Sequence, residues 1–125
     1  MNCRIIALAP FRKDAKRLLK KYASLKSELA ALQTLLQENP RYGKLIQENT
    51  YKIRLAVKSK GRGKSGGLRV VTHVVEVELT VEQDDSEQDV TVFLLAIYDK
   101  SEMENLPDSD LAWLISEASA EEFED

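Results

Sequence analysis

Between Lys52 and His73 the chain carries Lys52, Arg54, Lys58, Lys60, Arg62, Lys64 and Arg69, and no Asp or Glu. A two-residue period places Lys52, Arg54 and Lys58 on one face of a strand, and Arg69 opens the next strand beyond a glycine-rich loop. Cations crowded on one sheet surface repel one another, so folding alone does not favour them; a phosphate backbone does. The plainer alternative is a solvated sheet face beside a loop. The lack of any interleaved acid favours phosphate binding. No aromatic residue interrupts the stretch, so it offers no platform on which bases could stack.

Other chemistries are poorly supported. Gly63-Lys64-Ser65 resembles the end of a nucleotide-binding loop. That motif needs a glycine where Lys58 stands, and a helix rather than a strand after it. The glycines instead let the backbone turn tightly and approach a ligand. His73, the single histidine, alternates with Val71 and Val75 and reads as a half-buried sheet residue rather than a general base. Ser65 and Cys3 have no base at a recognisable spacing. One cysteine cannot form an internal disulfide or a multi-cysteine zinc site, and the carboxylates make no metal-loop signature. No cofactor is expected.

The formal charge of −3 hides a strong asymmetry. Met1 to His73 holds 17 Lys and Arg against 4 Asp and Glu, whereas Val74 to Asp125 holds only Lys100 against 17 acids. Such polarity points to a polyanion-binding surface, an acidic tail, or both. The 125 residues suit one domain. Cys3 to Ala9 is too short and too interrupted by Arg4 for a secretory signal, and no apolar run reaches membrane length. A cytoplasmic location is expected.

The elements that must position these cations follow from periodicity. Cys3 to Ala9 reads as a strand ended by Pro10. Phe11, Ala15, Leu18, Leu19 and Tyr22 recur at helical spacing against a basic face. Ser24 is suited to cap a second helix bearing Leu25, Leu29, Leu32 and Leu36, which Asn39-Pro40 stops. After a loop at Arg41-Tyr42-Gly43, Tyr51, Ile53, Leu55 and Val57 mark a second strand. Leu68 to Val81 is a third strand, Glu82 to Asp89 a polar connection, and Val90 to Tyr98 an apolar fourth strand. Asp108 is placed to cap a short last helix with Leu111, Leu114, Ile115 and Ala118. The expected class is α+β: an N-terminal helical hairpin packed on a mainly antiparallel four-stranded sheet, and a short C-terminal helix. The domain covers 1–116 and an acidic, flexible tail covers 117–125.

Several of these segments resemble the RelE/ParE toxin superfamily, in its RelE/HigB branch. Phe11 with Lys13, Lys16, Leu18 and Lys20-Lys21-Tyr22, followed by Asn39-Pro40 and Gly43, is similar to that family's helical hairpin. Tyr51-Lys52-Ile53-Arg54-Leu55, Gly63-Lys64-Ser65-Gly66-Gly67, Arg69-Val70-Val71 and Tyr98-Asp99-Lys100 are similar to its strands. The resemblance spans about residues 3–115. It implies the RelE fold, a cognate antitoxin with which a heterotetramer is one possible assembly, and ribosome-dependent cleavage of messenger RNA. It assigns Lys52, Arg54, Arg69 and Lys100 to the catalytic face; from the basic stretch itself, Lys58, Lys60, Arg62 and Lys64 are expected as further RNA-phosphate contacts. Where that family carries a catalytic tyrosine, this chain has Leu106, and Tyr98 is a different position. The implied chemistry uses no metal: the RNA 2′-hydroxyl attacks its own phosphate, and fixed cations stabilise the charge that develops. Crowded cations can also lower a lysine's pKa and make it a base. Two binding functions are the alternatives: a ParE-type gyrase inhibitor, or a catalytically degenerate relative that only binds an antitoxin.

Overall fold

The computed structural model describes residues 2–60, 66–80 and 86–122. The described chain is α+β, with the order β1 (Asn2–Ala7), α1 (Ala9–Lys21), α2 (Leu25–Glu38), β2 (Lys44–Gln47), β3 (Thr50–Leu55), β4 (Leu68–Thr80), β5 (Ser86–Asp99) and α3 (Asp108–Glu122). A short 3₁₀ turn, Lys58–Lys60, follows β3.

One sheet runs in the order β1-β5-β4-β3-β2. All neighbouring pairs are antiparallel except β1 with β5, which is parallel. The sheet has five strands, not the four expected. The extra one, β2, spans only four residues, too few for a readable alternation, and every one of them is exposed. It turns into β3 through Asn49, whose φ of 57° lies in the left-handed region that Asn tolerates. The connection expected at Glu82 to Asp89 is shorter, because β5 already pairs at Thr80↔Ser86 and continues through Val77↔Asp89.

Both helices of the hairpin arise where the apolar spacing requires them. Phe11, Ala15, Leu18 and Tyr22 of the α1 segment and Leu25, Leu32 and Leu36 of α2 are buried against Val70, Val74, Val92 and Ile97. Leu18 and Leu25 are fully buried, and each such side chain contributes about 1.5–3 kcal/mol by leaving water. Ser24 sits at the start of α2 but does not cap it. Its hydroxyl instead donates to Glu28 Oε1 and accepts the Ser59 N–H at 2.9 Å. Glu28 Oε2 in turn accepts the Lys58 N–H at 2.7 Å. The first turn of α2 thereby pins the 3₁₀ turn that follows β3.

The other face of the sheet is covered by α3, which was expected to be short. It is the longest of the three helices at 15 residues. Leu111, Leu114 and Ala118 pack on Val71, Phe93, Leu95 and Tyr98. Ala118 is fully buried and the helix reaches Glu122. The helix therefore runs on through 117–122, with Ala118 buried and Glu117, Ser119, Ala120 and Glu121 exposed, and residues 123–125 of the expected tail lie outside the described residues. Asp108 and Asp110 fall in the first turn of α3, where the helix dipole favours acids. Among the described residues, no helix is long and apolar enough to cross a membrane.

Candidate phosphate-binding site

In β3, Tyr51 and Ile53 turn into the hairpin core, so Lys52 and Arg54 must point to the opposite face. The ladder registers then lay cations side by side. Lys44 is opposite Lys52, Arg54 is opposite Arg69, and Arg69 is opposite Tyr98. The cations border a cavity of about 590 Å³, lined by Lys44, Lys52, Arg54, Arg69 and Lys100, with Tyr42, Gly43, Ile53, Glu104 and Asn105 completing its wall. All four residues assigned to the catalytic face by resemblance thus open into one recess.

The electrostatics of this recess are unusual for a folded surface. The Lys52 ammonium is held below its ordinary pKa, first by burial and then by the like charges of Lys44, Arg69, Arg54 and Lys100. Its Nζ donates to Asn105 Oδ1 at 3.3 Å. Arg69 is buried at 4% exposure, and its Nη1 donates to the Leu68 carbonyl at 3.3 Å. Burial raises the Tyr98 phenol, while Arg69 and the Leu106 backbone act in the opposite direction. Such a set of converging cations can hold a polyanion and stabilise charge that grows on phosphate oxygens. Among the described residues, no three His, Cys, Asp or Glu side chains gather as metal ligands.

Four further residues were expected to contact phosphate. Lys58 is exposed, but β3 ends at Leu55, so Lys58 lies on the 3₁₀ turn rather than on the strand face with Lys52 and Arg54. Lys60 is diverted: its Nζ donates to Asp99 Oδ1 at 2.6 Å, and Asp99 is fully buried. Arg62 and Lys64 lie outside the described residues.

The Lys60–Asp99 pair forms part of a larger cluster beside the cavity. Tyr22 Oη donates to Asp99 Oδ2 at 2.6 Å, and the Ser101 N–H and hydroxyl both donate to Oδ1. Burial alone would raise the Asp99 carboxyl. The donors Lys60, Tyr22 and Ser101 outweigh it and hold the carboxyl well below the usual carboxylate range. The cluster ties α1, the 3₁₀ turn and the end of β5 together, and so fixes the backbone from which Lys100 extends.

Lys44, Tyr42, Glu104 and Asn105 were not anticipated as cavity residues. The Tyr42-Gly43 loop is drawn in because Gly43 has a φ of 112° and lies against β3. A Cβ there would meet Ile53 Cγ1 at 2.8 Å and the Lys52 carbonyl oxygen at 2.9 Å. Tyr42 gives the recess the aromatic group that the basic stretch lacks. His73 is half-buried as expected, with Nδ1 2.9 Å from Thr50 Oγ1 in the register pair Thr50↔His73. Leu106 is half-buried against the α3-side core and offers no proton-transfer group. Set against protein-family models, curated proteins and solved structures, the chain matches none of them.

Proposed function

We propose that this protein is the toxin of a toxin–antitoxin pair, an endoribonuclease that cuts messenger RNA on the ribosome. The observation that carries the reading is the convergence of Lys44, Lys52, Arg54, Arg69 and Lys100 on one cavity. In this mechanism the RNA backbone enters the recess and Arg69 and Arg54 grip the scissile phosphate as forked donors. Lys52, already depressed in pKa, takes the proton of the 2′-hydroxyl. That oxygen attacks phosphorus to give a cyclic phosphate, and the 5′-oxygen leaves. The cations stabilise the developing charge without calling on a metal ion. They contact backbone rather than bases, so the ribosome supplies the in-line geometry and the choice of site. A cognate antitoxin that covers the toxin is the expected partner, in a heterotetramer or a simpler pair, and the cytoplasm the expected location.

A binding function is the second reading, favoured by Leu106 at the position where the RelE branch carries its tyrosine. It takes the form of a ParE-type gyrase inhibitor or an antitoxin-binding relative without activity. One pair of assays separates the readings. Purified protein is incubated with ribosomes programmed with a defined message, and new 5′-hydroxyl ends are mapped; in parallel, gyrase supercoiling is measured. Codon-positioned cuts that need the ribosome support the nuclease. Intact message with inhibited supercoiling replaces it with the gyrase reading.

A further inference from the structure

Phosphate binding leaves one contact in the cavity unexplained. Lys52 Nζ donates to Asn105 Oδ1, which joins β3 to the connection between β5 and α3 across 53 residues of sequence. A point charge can reach a phosphate from many rotamers, whereas this contact fixes the long stem in one of them at a cost in rotamer entropy. Asn105 also lines a second recess of about 320 Å³, together with Lys52, Tyr98 and Leu106. Its amide therefore stands where the cationic cavity meets the pocket under the start of α3.

We propose that Asn105 is a positioning residue whose amide oxygen holds the Lys52 amine at the cavity wall, aimed at the RNA 2′-hydroxyl. The inference rests on the ribonuclease reading and adds a residue to it. In the step concerned, neutral Lys52 accepts the 2′-hydroxyl proton and becomes an ammonium. The 2′-oxygen forms its bond to phosphorus, the bond from phosphorus to the 5′-oxygen breaks, and the departing 5′-oxygen takes a proton from water. Side-chain neutrality at position 105 is essential to this. The groups around Lys52 are Lys44 from β2, Arg54 from β3, Arg69 from β4, Tyr98 and Lys100 from β5 and its end, Glu104 from the connection and Asp108 from α3. The four cations among them, with burial, favour the uncharged amine. A carboxylate in direct contact would instead favour the ammonium. An amide orients the amine without adding that charge.

The test compares wild type, Asn105→Asp and Asn105→Ala as full-length folded proteins, with folding checked by circular dichroism. The Lys52 side chain is titrated by NMR, and message cleavage on programmed ribosomes is followed against pH. Asn105→Asp is expected to raise the Lys52 midpoint by about one pH unit and to move the acid limb of the cleavage profile upward with it. Asn105→Ala is expected to lower the maximal rate about tenfold or more, with the half-saturating ribosome concentration changed less than about twofold. An identical Lys52 midpoint in all three proteins overturns the inference. So does a profile that shifts in Asn105→Asp while the Lys52 midpoint stays put. A wild type that cuts nothing at any pH overturns the ribonuclease reading and the proton-transfer role with it, while the titration still reports whether Asn105 holds Lys52.

Discussion

Arg54 and Arg69 face each other directly across the β3–β4 ladder, and both line the same cavity. Like charges opposite one another in a sheet are unfavourable. The register nonetheless sets two cationic residues side by side on the cavity wall, where one phosphate can be held by both. Arg54→Thr should raise the urea midpoint by an amount equivalent to about 0.5 kcal/mol while weakening RNA binding. A variant that loses both stability and binding would indicate a structural role for Arg54.

Arg69→Ala should lower message cleavage by about 100-fold, the scale seen when one fixed transition-state donor is removed. Arg69 is buried beside Tyr98, so its fold must be checked by thermal unfolding, and Arg69→Lys gives a second reading. Lysine keeps the charge but not the forked geometry and should recover only part of the rate. Full cleavage by a folded Arg69→Ala protein would remove Arg69 from the mechanism.

The Asp99 cluster predicts a specific response to acid. Its folded carboxyl is depressed, so its contribution is fully present above the unfolded value near pH ~4. It is lost as pH falls from there toward the folded value. Asp99→Asn should flatten the stability profile below about pH 4. At neutral pH the same variant leaves half-buried Lys60 without its carboxylate, at a cost below the ~3–5 kcal/mol of a fully buried broken pair. Equal acid sensitivity of wild type and Asp99→Asn in urea unfolding between pH 2 and pH 6 (a range of about four units around the ordinary carboxylate pKa) would refute this.

How far these features were legible in the sequence depends on the range of the interaction. The hairpin could be read because Phe11, Ala15, Leu18 and Leu25 through Leu36 bury themselves at a helical period, and that signal is local. The cavity core could be read because Lys52 and Arg54 share one strand's parity, and Arg69 and Lys100 came from the resemblance. β2 could not, since Lys44 to Gln47 is exposed on all sides and carries no alternation. Asn105 could not either, because its partner lies far away along the chain. Composition groups Lys60 with the basic run, while the fold turns it toward buried Asp99, a partner remote in sequence. The acid-rich end looked like a tail by charge, yet Ala118 anchors it to the core.

Gly43→Ala tests whether the cavity wall depends on close backbone approach. The residue has a left-handed φ and no room for a Cβ against Ile53 and the Lys52 carbonyl. Alanine there should cost about 1–3 kcal/mol through strain and push the Tyr42 loop away from β3. RNA affinity should fall even at temperatures where the variant is fully folded. Unchanged affinity in a folded Gly43→Ala protein would mean that the loop contributes nothing to the site.

Salt dependence separates the cations that meet phosphate from those that do not. Each phosphate neutralised on single-stranded RNA contributes about −0.7 to the slope of log affinity against log salt. Lys44 and Lys100 line the cavity, so Lys44→Ala and Lys100→Ala should each weaken binding and make the slope shallower by about that amount. Lys60→Met should behave differently, because its ammonium is spent on Asp99 inside the protein. It should lower the melting temperature while leaving the slope unchanged. Lys58, exposed on the 3₁₀ turn and not part of the cavity wall, should alter neither quantity when replaced by alanine. The measurement is fluorescence anisotropy with a short labelled single strand, across about tenfold in salt, where the log–log relation can be fitted. A Lys60→Met slope that falls as much as that of Lys44→Ala would place Lys60 on the RNA and undo the distinction drawn from its pairing with Asp99.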